Sequence, residues 1–407
     1  MDNIIARRPG PSVQQVFDGD RNPAPAVMRV ESPAIGQSSD DVSIARYFAK
    51  DWHDREVEQV WRKTWQLACR LEHIPNVGDH IVYDIVHDSL IVVRTGPDEI
   101  KAYINSCLHR GTMLRTEGGC VKQFRCPFHG WTWKLDGALS VIPGQWDFPH
   151  VDKDKMNLPE ARVGTWGGFV FINFDADAEP LETYLENLPE HFASFNLEDR
   201  YVAAHVAKIM PCNWKLAMDT FGETYHFSVL HKDTLFNAFH GNVQCYDEAG
   251  HLHRMILCKR DIDAMRLLPE EQWDITVAGL PVYWIFPNVI LLPLDAGCFL
   301  VRAYPDRNDP GRHVSRVSFY LKPSLVAMGD EMTAFATDIA EKFAHVIRDE
   351  DYAMASSQQT AANSGALRNV IFGRNEPALH HYHNTYLALL GLEQLPLLDE
   401  AAVTNGM

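Results

Sequence analysis

The sequence predicts an α+β protein of two domains, a small β domain followed by a larger domain that mixes helices with an antiparallel sheet. Three observations carry that expectation. The chain has 407 residues, and at roughly 100–200 residues per domain two domains are the default. From His80 to about residue 174 apolar and polar residues alternate between Gly and Asp punctuation, the pattern of short antiparallel strands. Beyond that, segments with apolar residues three and four apart, the period of helices, are interleaved with strand-like runs.

The elements follow in order. Residues 1–40 (RRPGPS, GDRNPAPA, IGQSSDD) are rich in Pro, Gly, Ser and Asp without a period, and are expected to form a mobile or extended arm. Residues 41–174 form the first domain. It is led by a helix in which Val57, Val60, Trp61 and Trp65 share a face and Asp54 is the expected N-cap. Its strands begin with the alternation Ile81, Tyr83, Ile85 and end with the run Gly167–Phe174. Residues 175–407 form the second domain: polar, helix-prone sequence around 180–200, then a helix candidate at Trp214–Leu230. Strand-like runs follow at Val282–Leu294, Phe299–Tyr304 and Val314–Leu321. A long helix candidate covers Leu325–Ser356, with Phe335, Ile339, Phe343 and Val346 as its apolar stripe. No internal repeat is visible.

Charge removes several functions. Lys plus Arg is 37 and Asp plus Glu is 54, giving a net charge of −17, so the phosphates of nucleic acid would be repelled. No run approaches the roughly 18 apolar residues needed to span a bilayer. Arg7 and Arg8 precede no apolar stretch, so no secretory signal is visible and a cytoplasmic protein is expected. Eight cysteines are too dilute for a disulfide scaffold, and in a reducing compartment most are expected as thiols. Cys69, Cys212, Cys245, Cys258 and Cys298 lie in apolar or strand-like sequence, where a buried structural thiol is the expected role.

The remaining cysteines cluster with histidines. The chain reads Asn105-Ser-Cys107-Leu-His109-Arg-Gly and then Arg125-Cys126-Pro-Phe-His129-Gly-Trp131, two Cys-plus-His pairs sixteen residues apart. Thiolates and imidazoles converging on loops are metal ligands. A structural zinc site usually keeps two cysteines in one pair and two histidines in the other. Here each pair is mixed, which favours a [2Fe–2S] cluster with two thiolates on one iron and two imidazoles on the other. Zinc stays as the alternative. Cys120 lies between the pairs and matches no ligand position.

A second constellation is Asn213-Trp-Lys-Leu-Ala-Met-Asp219-Thr-Phe-Gly-Glu223-Thr-Tyr225-His226-Phe-Ser-Val-Leu-His231. Two histidines and a carboxylate in nine residues are candidates for a facial triad holding non-haem iron(II) with open positions. The plainer alternative is histidines on an amphipathic helix. Glu223 and His226 share a helical face. The five-residue step from His226 to His231 turns about 140° on an ideal helix, so the helix must end or distort between them.

The pattern Cys-x-His-x(16)-Cys-x-x-His, with Arg-Gly after the first His and Gly-Trp after the second, resembles the Rieske cluster-binding motif. The run Asn-Trp-Lys…Glu-x-Tyr-His-x(4)-His is similar to the iron-binding motif of the Rieske non-haem iron oxygenases, the terminal α-subunit components of ring-hydroxylating and dealkylating systems. The two motifs stand in the family's order, and the resemblance covers roughly residues 45–375. It implies an all-β Rieske domain and a catalytic domain whose antiparallel sheet is flanked by helices, of the helix-grip, START-like kind. It implies Cys107, His109, Cys126 and His129 as cluster ligands and His226 and His231 as ligands of a mononuclear iron. The family's third iron ligand is an Asp in an acidic pair followed by Gln, here Asp349-Glu350-Asp351-Tyr352…Gln358. Helical period alone selects Glu350; the family pattern selects Asp351. By the same resemblance Glu223 bridges His226 to His129 of a neighbouring subunit, which implies a homo-oligomer, a head-to-tail trimer, with or without a β subunit. The family's usual Glu-Asn is replaced here by Asp219-Thr220.

No Gly-x-Gly-x-x-Gly follows a strand, so no flavin or nicotinamide domain is visible. Electrons are therefore expected from a separate NAD(P)H-dependent reductase, directly or through a ferredoxin. The expected reaction is hydroxylation of an aromatic or similarly apolar substrate, with oxidative N- or O-dealkylation as the alternative. Non-catalytic classes are a bare electron carrier and a zinc-stabilised binding module. Phe221, Phe227, Phe236, Phe239, Trp284 and Phe286 are candidates to line a pocket, although each such residue is more often core.

Overall fold

Short alternating runs bury one face only when they find cross-strand partners, and two antiparallel sheets of seven strands supply them. In the computed structural model the described residues are 39–395 apart from 200, 266, 295 and 374. Residues 1–38, nearly all of the expected arm, lie outside them. The chain divides into two compact units, residues 54–184 and, of the rest, 39–53 together with 185–395.

Strand β1 (Ser39–Ser43) belongs to the second unit. The helix that follows runs Lys50–Glu56 and widens into a π turn at Val57–Trp61. Asp54 lies inside it and does not cap it, because the His53 N–H already closes a turn onto the Ala49 carbonyl (3.2 Å).

The first unit contains β2 (Gln66–Arg70), β3 (Asp79–Ile85), β4 (Asp88–Gly96), β5 (Glu99–Ile104), β6 (Gly119–Cys120), β7 (Gln123–Arg125), β8 (Thr132–Lys134), β9 (Leu139–Val141), β10 (Glu160–Trp166) and β11 (Phe169–Asn173). Seven of them form one sheet in the order β2-β11-β10-β5-β4-β3-β6, and β7-β8-β9 form a second. Tyr103, Phe124, Trp131 and Trp133 make the aromatic centre of its core, and Cys107 and Cys126 belong to the same cluster. The unit continues past residue 174. Trp65 Nε1–H donates to the Glu179 carbonyl (2.9 Å), and Leu181 packs so closely on Gly164 that any side chain there would collide with it.

The second unit adds β12 (Tyr201–Met210), α1 (Trp214–Asp219), β13 (Phe239–Ala249), β14 (Leu252–Lys259), β15 (Gly279–Ile285), β16 (Val289–Pro293), β17 (Gly297–Pro305), β18 (His313–Leu321), α2 (Asp330–Val346), α3 (Tyr352–Asn363), β19 (Asn369–Phe372) and α4 (Pro377–Leu389). Its sheet is antiparallel in the order β12-β18-β17-β16-β15-β14-β13. Every residue of β17 is buried, which requires cover on both faces. Helix α2 packs on β12 and β18, α1 on β17, and α4 on β13 and β14. Strand β1 pairs with β19, so residues 39–53 are held by the C-terminal part of the chain.

Several expectations change here. The helix expected over Trp214–Leu230 stops at Asp219. Gly222 then lets Leu379 of α4 approach to where a Cβ would lie only 2.3 Å from it, a contact that a continuing helix with side chains could not accommodate. The single run Val282–Leu294 is two strands with a turn between Ile285 and Val289. The helix expected over Leu325–Ser356 is α2, a π turn at Ile347–Asp351, and α3. Among the described residues no helix is long and apolar enough to cross a membrane.

Candidate metal centres

Two loops of the first unit have the same hydrogen-bonded form. In one, Cys107 N–H donates to the Thr112 carbonyl (2.8 Å) and Gly111 N–H to the Cys107 carbonyl (2.8 Å). In the other, Cys126 N–H donates to the Trp131 carbonyl (2.8 Å) and Gly130 N–H to the Cys126 carbonyl (3.1 Å). Both glycines are left-handed, at φ 78° and 76°, a conformation that costs residues with a Cβ about 1–2 kcal/mol. The repeated Cys-x-x-x-Gly is a sequence signal for this twin form that ligand spacing alone misses.

The loops bring four donors to one end of the unit. Cys107 and Cys126 are buried free thiols. Burial pushes the Cys107 thiol up, backbone N–H groups of His109 and Arg110 pull it down, and the adjacent Cys126 thiol pushes it up again. His109 lies 4.7 Å from His129, centroid to centroid, and stacks on Trp131 at 4.9 Å with rings 5° from parallel. Burial, with the neighbouring His129 and Arg110, lowers the pKa of His109, which favours the neutral, ligating imidazole. Its Nδ1 is buried without a hydrogen-bond partner. Among the described residues, the only three His, Cys, Asp or Glu donors that close within 4.8 Å of one another are His226, His231 and Asp351. Each loop pairs one thiol with one imidazole, the mixed arrangement that fits a two-iron cluster with thiolates on one iron and imidazoles on the other.

The second centre is built from three separate turns. Asn213 caps α1 by accepting from Lys215 N–H (2.9 Å), and the chain then turns sharply. It re-forms as a 3₁₀ turn at Tyr225–Ser228 carrying His226, with His231 on the next bend. The break that the five-residue spacing requires is there. Asp351 closes the π turn between α2 and α3. Its Oδ1 lies 3.4 Å from His226 Nε2 and 3.2 Å from His231 Nε2.

The other nitrogen of each ring meets its own carboxylate. His226 Nδ1–H donates to Glu223 Oε1 (2.5 Å), and His226 N–H to Glu223 Oε2 (3.1 Å). His231 Nδ1–H donates to Glu350 Oε2 (2.5 Å). Burial alone would lower His226, but Asp351 and Glu223 outweigh it and raise the imidazole to about 9. His231 is raised against burial by Asp351 and Glu350. Asp351 is held below the usual carboxylate range by the two histidines, although burial pushes it up. Three carboxylates surround two imidazoles, an excess of negative charge that a divalent cation would neutralise. A metal would displace the proton on each Nε2 while the carboxylates keep the one on Nδ1, and the donor set is then the two-His-one-carboxylate set of non-haem iron(II).

Other expected residues fall in different places. Phe227 packs edge-on to His231 at 5.2 Å, with Phe239 behind it at 6.1 Å. Trp284 and Phe286 are core, packed on Tyr382 at 5.1 and 5.7 Å. Phe236 lies under the Arg260 guanidinium at 4.4 Å. Asp219, one of the departures from the family pattern, accepts from Tyr47 OH (2.8 Å) and from His383 Nε2–H (2.9 Å). His383 Nδ1 in turn accepts from Arg46 (2.7 Å). Tyr47, Arg46 and His383 were beyond reach of motif reading, because they join Asp219 from distant segments.

Comparison with known proteins agrees with this geometry. Residues 64–152 match the Rieske [2Fe-2S] domain and residues 185–392, just over half of the chain, match the ring hydroxylating alpha subunit (catalytic domain). A Rieske domain followed by such a catalytic domain defines the terminal component of a Rieske oxygenase, an oxidoreductase with a [2Fe–2S] cluster and a mononuclear iron. The chain belongs to this ring-hydroxylating α-subunit family. It is 25% identical over 362 residues to the carnitine monooxygenase oxygenase subunit of Escherichia coli (strain K12), covering 84% of this chain and 91% of that one. It is 34% identical over 183 residues to the biphenyl 2,3-dioxygenase subunit alpha of Rhodococcus jostii (strain RHA1), covering 43% and 39%. In fold it is similar to a quaternary ammonium Rieske monooxygenase solved with L-carnitine, with a TM-score of 0.71 at 20% identity over 87% of this chain and 96% of that one. Rieske oxygenases oligomerise and draw electrons from reductase or ferredoxin partners.

Proposed function

We propose that this chain is the oxygenase component of a monooxygenase that oxidises carbon next to nitrogen in an amine or quaternary ammonium substrate and so breaks a C–N bond. One observation carries this reading. The likeness to the carnitine monooxygenase subunit runs along 91% of that relative, whereas the likeness to the biphenyl dioxygenase subunit covers 39% of it. Ring hydroxylation, the reaction expected from sequence, is the second reading, favoured by the higher identity of that shorter match, 34% against 25%.

In this reading Cys107, His109, Cys126 and His129 hold the cluster, and His226, His231 and Asp351 hold the mononuclear iron. When bound, the cluster supplies single electrons and the iron activates dioxygen. The twin loops fix the two sulfurs in the core, Trp131 braces His109, and His129 stays exposed. Glu223 keeps the Nδ1 proton of His226 and orients its ring. It also links that ring to His129 of a second copy.

Large exposed side chains support an assembly of copies. Phe128 (58%) and Trp146 (85%) lie on the Rieske unit, and Tyr225 (68%) and Val229 (77%) flank His226 on the catalytic unit. Exposed apolar groups at both ends of the route are what a head-to-tail trimer would cover. Electrons would come from a separate NAD(P)H-dependent reductase or a ferredoxin. The eight cysteines are thiols, none joined in a disulfide among the described residues, which supports a reducing, cytoplasmic setting.

The test uses reduced protein, labelled oxygen gas and a panel of quaternary amines, N-alkyl aromatics and aromatic hydrocarbons. Cleavage into an amine and a carbonyl product is expected, with one labelled oxygen on the carbonyl fragment and none on the amine. Two labelled oxygens on a ring, with the amines untouched, would move the assignment to the second reading.

A further inference from the structure

We propose that Glu350 is a positioning residue for the mononuclear iron, gripping His231 from behind while its neighbour Asp351 ligates. The proposal rests on the three-ligand reading above. Two adjacent carboxylates address opposite edges of one imidazole: Asp351 Oδ1 faces His231 Nε2 at 3.2 Å, and Glu350 Oε2 accepts from Nδ1 at 2.5 Å. On a regular α-helix neighbouring side chains diverge by about 100°. The π turn at Ile347–Asp351 changes that local geometry. Thr234 Oγ1–H donates to the same Glu350 oxygen (2.8 Å), which ties the carboxylate to the bend that follows His231.

The consequence is a division of labour. Glu350 selects the tautomer with the proton on Nδ1, leaving the Nε2 lone pair for the metal, and it fixes the rotation of a ring that is itself buried. Glu223 does this for His226, and in the proposed assembly it has a second task at the subunit boundary. Glu350 has only the first. Asp349, one residue earlier, is exposed and paired with Arg348 and His345, so it serves as an internal control.

The experiment measures iron(II) affinity of the mononuclear site in the full, cluster-loaded chain by competition with a coloured chelator. Cluster absorbance and circular dichroism report folding. Glu350→Ala is expected to weaken iron binding about 100-fold and Glu350→Gln, which keeps an acceptor oxygen for Nδ1–H, about 10-fold. Thr234→Val, a milder change, is expected to weaken it a few-fold, and Asp349→Asn to leave it unchanged. Wild-type affinity in Glu350→Ala would overturn the proposal. So would loss in Glu350→Gln as complete as in Asp351→Asn, since that would make Glu350 a ligand. Retention of iron by both His231→Ala and Asp351→Asn would instead overturn the three-ligand reading, and the proposal with it.

Discussion

Asp351→Asn is expected to strip the mononuclear iron from the chain and lower turnover by more than about 100-fold, with the cluster spectrum intact. The substitution keeps the side chain's shape and removes its charge. Asp351 Oδ1 is the carboxylate oxygen that faces both Nε2 atoms, and no other carboxylate oxygen approaches both among the described residues. Without it two imidazoles would hold the metal on that side. Glu223 and Glu350 cannot replace it, because they are engaged at the Nδ1 edges. Iron analysis and turnover of the purified variant check this. A variant that kept its iron and its activity would show that Asp351 is not the third ligand.

The second large effect concerns electron delivery. Cys126→Ser is expected to destroy the cluster, and Cys126→Ser or Asp351→Asn alone to be inactive. Co-assembled in equal amounts they should recover about a quarter of wild-type activity, because in a randomly mixed ring about one junction in four joins an intact cluster to an intact iron site. Recovery depends on His129 of one copy meeting the Glu223–His226 pair of the next. Adding Glu223→Ala to the Cys126→Ser chain should then abolish it. No recovery from correctly assembled mixed rings would mean that each chain serves its own iron.

Much of this was legible in sequence, for a physical reason. Thiols paired with imidazoles on loops are few and chemically distinctive, so the proposed cluster ligands Cys107, His109, Cys126 and His129 stand out without any knowledge of the fold. The same holds for His226 and His231, whose five-residue step announced a broken helix. The π turn at Ile347–Asp351 was not legible. The stripe Ile339, Phe343, Val346 runs into it without interruption, so helical period pointed to Glu350 and only the family pattern to Asp351. Strand β12 escaped notice because His205, Ala207, Lys208 and Ile209 are exposed along a sheet edge and give no clean alternation. In β14 every residue from Leu252 to Cys258 is buried, polar ones included, so its pattern has no period of two. The Asp219–His383–Arg46 network joins segments 164 and 337 residues apart, where local pattern carries no information.

That one chain holds two different iron centres is tested by the iron and acid-labile sulfide content of anaerobically purified wild-type protein, with zinc measured in the same sample. About three irons and two sulfides per chain, with no stoichiometric zinc, are expected. Zinc in place of the cluster, with no labile sulfide, would contradict it.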